Sequence, residues 1–224
     1  MGLDNKVKNL PKYTFRDEIW NSITHGIGFL FSLGVLIYFI IINVTRHISF
    51  SIMAAYYFYV LTMMIVFVIS TLYHSSKFST KYRAIMRIID HSDIYLFCAG
   101  TYLPICLFNV APHNVGIALI ITQFALATFG ILTVAILNNS KVLKALGYAC
   151  YIIEGWLLVF FLPFGVTLNF NVFLFILIGG IVYSIGAIIY AIGKKQIWLH
   201  TVFHVFVVAG AVVQFIGIYY LLNL

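Results

Sequence analysis

Long apolar runs, separated by short polar connections, dominate this chain. A helix needs about 20 apolar residues to cross the hydrocarbon core of a bilayer. On that measure the pattern predicts seven membrane-spanning helices, at residues 22–43, 50–72, 88–108, 115–137, 147–168, 171–192 and 200–222. The runs are continuous and do not alternate, which argues against a β-barrel. The sequence therefore predicts a single all-α membrane domain over 1–224, with 1–21 as a cytoplasmic N-terminal segment and kinks at Pro104 and Pro163, which fall inside spans.

The composition agrees with a multi-pass membrane protein. Hydrophobic residues make up 63% of the chain and charged residues 8%, whereas a soluble domain carries about 25% charged residues. The three cysteines all fall inside apolar runs and are odd in number, so they do not suggest a disulfide framework.

The basic residues predict the orientation of the spans. They fall in alternate connections, at Lys6, Lys8, Lys12, Arg16, Lys77, Lys81, Arg83, Arg87, Lys141, Lys144, Lys194 and Lys195. Arg46 alone lies on the opposite side. By the positive-inside rule the N-terminus is cytoplasmic and the C-terminus is outside. The net charge of +7 then reflects topology and contact with anionic lipid headgroups, and we expect no nucleic-acid partner.

Ionisable side chains are expensive inside a bilayer, yet the chain has seven histidines and six carboxylates. Four of the predicted spans carry such groups to the same cytoplasmic third of the membrane. These groups are His25 in the first span, His74 in the second, Asp90 and Asp93 in the third, and His200 and His204 in the seventh. Polar groups collected at one depth from four helices predict a functional site.

The residue types at this depth favour a metal site. His200 and His204 are four residues apart, so both project from one helix face. A third ligand must come from another helix, and His74 is the natural candidate. Three histidines with an open fourth position are typical of catalytic zinc. Ser70 lies one turn before His74, and Asp90 can hydrogen-bond water on the metal or orient a ligand.

Other interpretations of these residues stay open. The histidine pair alone would also fit interfacial side chains that reach lipid headgroups. His25 fits a structural hydrogen bond, a supporting role around the metal, or direct ligation. Asp93 is a further candidate for support. Glu154, inside the fifth span, must be paired, protonated or functional, and it is also a candidate for support.

Several motifs occur together in one order. They are Glu18-Ile-Trp-Asn-Ser-Ile-Thr-His25, Ser70-Thr-Leu-Tyr-His74-Ser, Asp90-His-Ser-Asp93, Gly155-Trp156 and His200-x-x-x-His204. With these motifs the sequence resembles the bacterial hemolysin III proteins, members of the progestin and adipoQ receptor superfamily, over essentially its whole length. The resemblance implies seven helices, a cytoplasmic N-terminus and a bacterial plasma (inner) membrane location. It also implies zinc held by His74, His200 and His204, with Asp90 contacting water on the zinc and Ser70 beside it.

The resemblance points to two classes of function. Receptor relatives are linked to hydrolysis of ceramide-like lipid amides, whereas bacterial members were named for haemolysis and tied to membrane-lipid homeostasis. The leading hypothesis is a zinc-dependent hydrolase acting on an amide or ester of a membrane lipid, whose acyl chain enters from the bilayer. Asp90 and Ser70 would be its catalytic residues. The alternatives are a cytolytic, pore-forming protein and a non-enzymatic receptor or regulator with structural zinc.

Overall fold

The computed structural model describes residues 3–8, 10–11, 13–135, 141–192, 196 and 198–224. In this part of the chain a short helix precedes seven long ones. The helices are α1 (Leu3–Lys8), α2 (Phe15–Arg46), α3 (Phe50–Ser75), α4 (Lys81–Phe108), α5 (His113–Ala135), α6 (Lys141–Phe161), α7 (Phe170–Ile192) and α8 (Leu199–Leu222). An isolated antiparallel bridge joins Ala111 to Thr167 in two connections at the same end of the bundle. The predicted all-α class is confirmed.

Polar caps extend two helices beyond the apolar runs that predicted them. α2 begins well before the predicted start at 22, because the Thr14 hydroxyl accepts a hydrogen bond from the Asp17 backbone N–H at 3.2 Å. The Asp17 carboxylate accepts one from the Thr14 N–H at 3.1 Å, which completes a capping box. α4 also begins at a threonine, where the Thr80 hydroxyl accepts from the Arg83 N–H at 3.1 Å. Hydropathy misses such starts because capping residues are polar.

The kink predicted at Pro163 is wrong. α6 ends at Phe161, and Pro163 lies in a short 3₁₀ turn, Leu162–Phe164, so the helix ends before the predicted end at 168. Proline has no N–H and its ring clashes with the preceding turn, so here it ends the helix. Pro104 does lie inside α4, as predicted.

Five helices, α2, α3, α5, α7 and α8, are long and apolar enough to cross a membrane. α4 carries charged residues through its first half, and the apolar part of α6, Ala149–Phe164, is shorter. Large apolar side chains cover the outside of the bundle, among them Leu30, Val44 and Ile188, each more than half exposed. Such a surface suits lipid and not water. The helices indicate an integral membrane protein, while seven spans and their orientation stay predictions.

Some residues used to predict the orientation lie outside the described part of the chain. They are Lys12, Lys194 and Lys195. The last two residues of the predicted fourth span, 136–137, lie outside it too. The basic residues of α1, α2 and α4 are within it.

From α2 onward, helices that follow one another along the chain are neighbours in space, and α8 closes the bundle against α2, while α1 contacts α4. α4 also contacts α6 and α8, so it is the innermost helix. The beginning of α2, the end of α3, the first half of α4 and the beginning of α8 therefore meet at one end of the bundle. This is the end to which the histidines were predicted to come.

Candidate metal centre

Three histidines meet where α2, α3, α4 and α8 converge. His74 lies in the last turn of α3, and His200 and His204 lie one turn apart at the beginning of α8. The His200 Nε2 atom is 3.4 Å from that of His74 and 3.0 Å from that of His204. All three side chains are buried, and one ring nitrogen of each lies within 4.8 Å of the others. This group can hold a metal ion.

The spacing of these nitrogens fits zinc. Ligand nitrogens about 2.0–2.1 Å from a tetrahedral zinc ion are about 3.3 Å from one another. The two measured Nε2 separations, 3.4 and 3.0 Å, lie close to that value. Three imidazoles also leave a fourth position for water or substrate, as in catalytic zinc sites. The donor set thus fits the predicted ion, whose identity stays a prediction.

The outer nitrogen of His74 has a partner that fixes its ring. Its Nδ1 atom lies 2.6 Å from Glu18 Oε2 and 3.3 Å from the Asn21 side-chain nitrogen. An ionised carboxylate can only accept a hydrogen bond, so Nδ1 carries the proton and donates to Glu18. The Nε2 lone pair of His74 then faces the other two histidines. Asn21 in turn accepts a hydrogen bond from the Thr201 hydroxyl at 2.6 Å, beside His200.

Glu18 is itself paired with a buried arginine. Arg83 Nη2 donates to Glu18 Oε1, and Arg83 Nη1 donates to the backbone carbonyls of Tyr73 and Ser76 at 3.0 and 2.8 Å. The guanidinium also lies 4.7 Å from the ring centres of Tyr73 and Phe78. One side chain of α4 therefore holds both the end of α3 and the carboxylate of α2, next to His74.

The two predicted catalytic residues lie beside the histidines. Ser70, one turn before His74 on α3, is buried, and its hydroxyl makes no hydrogen bond with the described residues. Asp90, on α4, is mostly buried and interacts electrostatically with both His74 and Ser70. Asp90 Oδ2 is also 3.1 Å from His91 Nδ1. The Asp90 carboxylate and the buried Ser70 hydroxyl therefore border the three histidines without belonging to the metal-binding group.

His25 forms part of the wall of the centre. Its ring stacks on that of His204, with centroids 3.8 Å apart, and meets Phe67 edge-on at 5.3 Å. Both His25 nitrogens are buried and have no hydrogen-bond partner among the described residues. His25 does not belong to the group of histidines that can hold a metal. Its observed contacts are those of a packing partner of His204.

The two remaining predicted residues are buried carboxylates. Asp93 follows Asp90 by one turn and interacts with it electrostatically, and Glu154 is fully buried in α6. Neither carboxylate has a hydrogen-bond partner in the part of the chain that the structure describes. The backbone carbonyl of Glu154, and not its carboxylate, accepts a hydrogen bond from the Gln123 side chain at 2.9 Å. No described contact joins Glu154 to the histidines.

Glu18, Arg83 and Tyr13 border the centre but are not among the predicted site residues. Glu18 could have been found from its spacing with Asn21 and His25, because positions i, i+3 and i+7 share a helix face. Tyr13 precedes α2 and stacks on the His200 ring, with centroids 5.0 Å apart. Burial raises the pKa of the Tyr13 hydroxyl above its ordinary value. The ring therefore covers the end of the centre as an uncharged group.

Comparisons with known proteins identify the family of this chain. The family model described as "Haemolysin-III related" matches residues 13–215. "Hemolysin-3" of Bacillus cereus is 36% identical over 201 residues, which are 89% of each chain. "Hemolysin-3 homolog" of Bacillus subtilis (strain 168) is 35% identical over 204 residues, covering 91% of this chain and 93% of that protein. No solved structure shows a significant match. The chain therefore belongs to the hemolysin III family.

Proposed function

We propose that this protein is a zinc-dependent hydrolase that cleaves an amide or ester bond of a membrane lipid. One arrangement carries the proposal: three buried imidazole nitrogens at zinc-ligand spacing, bordered by the Asp90 carboxylate and the buried Ser70 hydroxyl. A purely structural zinc site is closed by four protein ligands and requires neither of these groups. Three histidine ligands with the Asp90 carboxylate and the Ser70 hydroxyl beside them therefore support a catalytic rather than a structural zinc site.

Each residue has a distinct part in this reaction. Bound zinc would polarise the substrate carbonyl and make water a stronger nucleophile. Asp90 accepts the proton of the attacking water and afterwards returns it to the leaving nitrogen or oxygen. Ser70 donates a hydrogen bond to the carbonyl oxygen as that atom gains negative charge. His74, His200 and His204 would hold the metal.

A lipid substrate follows from the surroundings of the centre. The helices that carry it present apolar side chains on their outer surfaces, such as Leu72 and Val205. Tyr13 stacks on the ring of His200 and would obstruct approach to that ring from its side. A lipid whose acyl chain lies among the helices can bring its carbonyl to Asp90 from the side. A water-soluble substrate would have to displace Tyr13.

All seven long helices cross the membrane in this proposal, with the N-terminus in the cytoplasm of a bacterium and the protein in the plasma membrane. The charged first half of α4 does not prevent this, because its most costly charge is hidden in the bundle. Arg83 has no exposed side-chain surface and is paired with Glu18. Paired groups inside a bundle avoid the cost of charge in lipid.

The experiment is a comparison of lipid extracts from bacteria that express the wild type, Asp90→Asn or Asp4→Asn. Asp4 is an exposed carboxylate that pairs with Lys81 at 3.3 Å, so it serves as the matched control. We expect the wild type and Asp4→Asn to release a free fatty acid that Asp90→Asn does not release. Asp90→Asn should retain its zinc. If zinc is retained and no lipid depends on Asp90, the hydrolase proposal is wrong and a regulator with structural zinc is favoured.

The names of the relatives favour direct lysis of membranes as a second candidate. Against an open pore, the buried ionisable groups gather at one end of the bundle, with Glu154 as the exception among the described residues. A water path would need polar side chains along its whole length. Leakage of a dye from vesicles containing purified protein separates the two candidates. Leakage that is equal for wild type and Asp90→Asn would favour lysis without hydrolysis.

A further inference from the structure

We propose that Glu18 and Arg83 are positioning residues that orient His74 and thereby set the affinity of the centre for its metal. The inference rests on the proposed zinc centre and adds to it residues of α2 and α4. Neither side chain is a ligand. Both would act on the metal through the ring of His74.

The contact between Glu18 and His74 fixes the direction of one ligand. At 2.6 Å it is a short, charge-assisted hydrogen bond between side chains that are at most 5% exposed. It keeps the proton on Nδ1, so that the Nε2 lone pair points toward the metal position. The Asn21 amide, at 3.3 Å, is a nitrogen donor and cannot replace the carboxylate in this role.

Among the described residues, His74 alone of the three candidate ligands has such a support. The Nδ1 atoms of His200 and His204 are buried and have no hydrogen-bond partner in the described part of the chain. Those two rings are instead fixed by their common helix, since both lie on one face of α8. His74 comes from a different helix, α3, and the Glu18 carboxylate is the described group that fixes the direction of its ring.

Arg83 supplies that support at two points. Its guanidinium pairs with Glu18 and also binds the carbonyls of Tyr73 and Ser76, on either side of His74 in the chain. A planar group with several N–H donors can serve a carboxylate and two carbonyls together, which a lysine ammonium does less well. Arg83 thus fixes both the carboxylate and the helix end between which the His74 ring is held.

The test compares zinc affinity in purified protein by competition with chelators of graded strength. We expect Glu18→Gln to bind zinc about 10–100-fold more weakly than the wild type, as is typical when a partner of a metal ligand is lost. Asp4→Asn removes an exposed carboxylate near the same end and should bind as the wild type does. The visible spectrum of the Co²⁺-loaded protein should change in Glu18→Gln and not in Asp4→Asn.

A double variant separates positioning from a purely structural role. Glu18→Gln alone leaves the buried Arg83 charge unpaired and lowers stability. Glu18→Gln with Arg83→Gln removes both charges, so we expect thermal stability to recover towards that of the wild type while zinc binding stays weak. Recovery of both properties would overturn the inference.

Two further outcomes have distinct meanings. If the wild type binds no zinc, the proposed function fails together with this inference. If the wild type binds zinc and Glu18→Gln binds it equally well, the inference alone fails. If Glu18→Gln does not fold, Arg83→Lys is the alternative variant. It keeps the positive charge but loses the planar set of N–H donors that serves Glu18 and the two carbonyls. Wild-type zinc affinity in Arg83→Lys would overturn the inference.

Discussion

Buried polar residues in this protein are of two kinds, those with partners and those without. Glu18, Arg83 and His74 satisfy one another in a network whose side chains are almost completely buried. Glu154 is buried as deeply, yet its carboxylate has no hydrogen-bond partner among the described residues. A buried polar group without a partner costs free energy of folding. In a membrane protein such a group is retained either at a cost or for a ligand.

Substitution of Glu154 distinguishes these two reasons. If the carboxylate only costs stability, Glu154→Met should raise the free energy of unfolding by about 1–3 kcal/mol, because it keeps the side-chain length and removes the unpaired group. Gln123→Met should lower it, since the Gln123 amide donates to the Glu154 backbone carbonyl. Thermal unfolding in detergent measures both. A less stable Glu154→Met protein would instead show that this carboxylate has a partner or a ligand.

The sequence was sufficient to predict the three histidines but not their supports. His200 and His204 share a face by helix geometry alone, and membrane depth then selects His74. Glu18 and Arg83 are 65 residues apart, and their contact depends on how α2 and α4 are rotated relative to each other. Hydropathy contains no information about that rotation. From the sequence, the charge of Arg83 predicts only the orientation of the spans. Its contact with Glu18 is visible only in the structure.

At the scale of helices, close packing between α2 and α3 holds one wall of the centre. A Cβ atom added to Gly28 would lie 2.6 Å from a ring carbon of Phe67. Phe67 is fully buried and meets the His25 ring edge-on, and His25 stacks on His204. The absence of a side chain at Gly28 therefore allows packing that extends through Phe67 and His25 to His204, one of the candidate ligands.

A pair of alanine substitutions on α2 tests this packing. Gly28→Ala should destabilise the protein by about 1–3 kcal/mol, because the added methyl group would force the fully buried Phe67 ring to shift. Gly26→Ala is the matched control, since a Cβ there meets nothing within 4 Å. The control should be neutral or stabilising by up to about 1 kcal/mol, from helix propensity. Equal unfolding temperatures for the two variants would contradict the packing account.

The helices themselves were largely predictable, while several of their ends were not. Apolar runs located all seven long helices, because lipid demands continuous hydrophobic segments. The start of α2 depends on the side-chain hydrogen bonds of Thr14 and Asp17, and the end of α6 depends on Pro163. A hydropathy average over a whole span does not detect capping hydrogen bonds or a single proline that ends a helix. Hydropathy alone also does not establish α4 and α6 as spans, because α4 carries charged residues through its first half and the apolar part of α6 is short.

The whole molecule has two different ends. The candidate metal centre and the basic residues of α1 and α4 lie at one end. At the other end, the Arg46 guanidinium donates to the Asn223 side chain at 2.7 Å, which places the end of α2 beside the end of α8. Two helices that end on the same side agree with an odd number of crossings from α2 to α8. The distribution of charge then predicts that the end with the centre faces the cytoplasm.

Reporter fusions test this orientation directly. Alkaline phosphatase fused after Leu224 should be active, because the C-terminus is predicted to lie outside, and a green fluorescent protein at the same point should be dark. The same fluorescent protein fused after Thr80, in the connection before α4, should fluoresce in the cytoplasm. Fluorescence from the fusion after Leu224 would contradict either the orientation or the count of seven spans.

Metal analysis of the purified protein tests the central claim most directly. The wild type should contain about one zinc ion per chain, the content of a single three-histidine site. The double variant His200→Ala/His204→Ala should lose it. The double variant His47→Ala/His113→Ala removes two histidines outside the site and should keep it. Equal zinc content in the two double variants would show that His200 and His204 do not hold the metal, and would contradict this account of the protein.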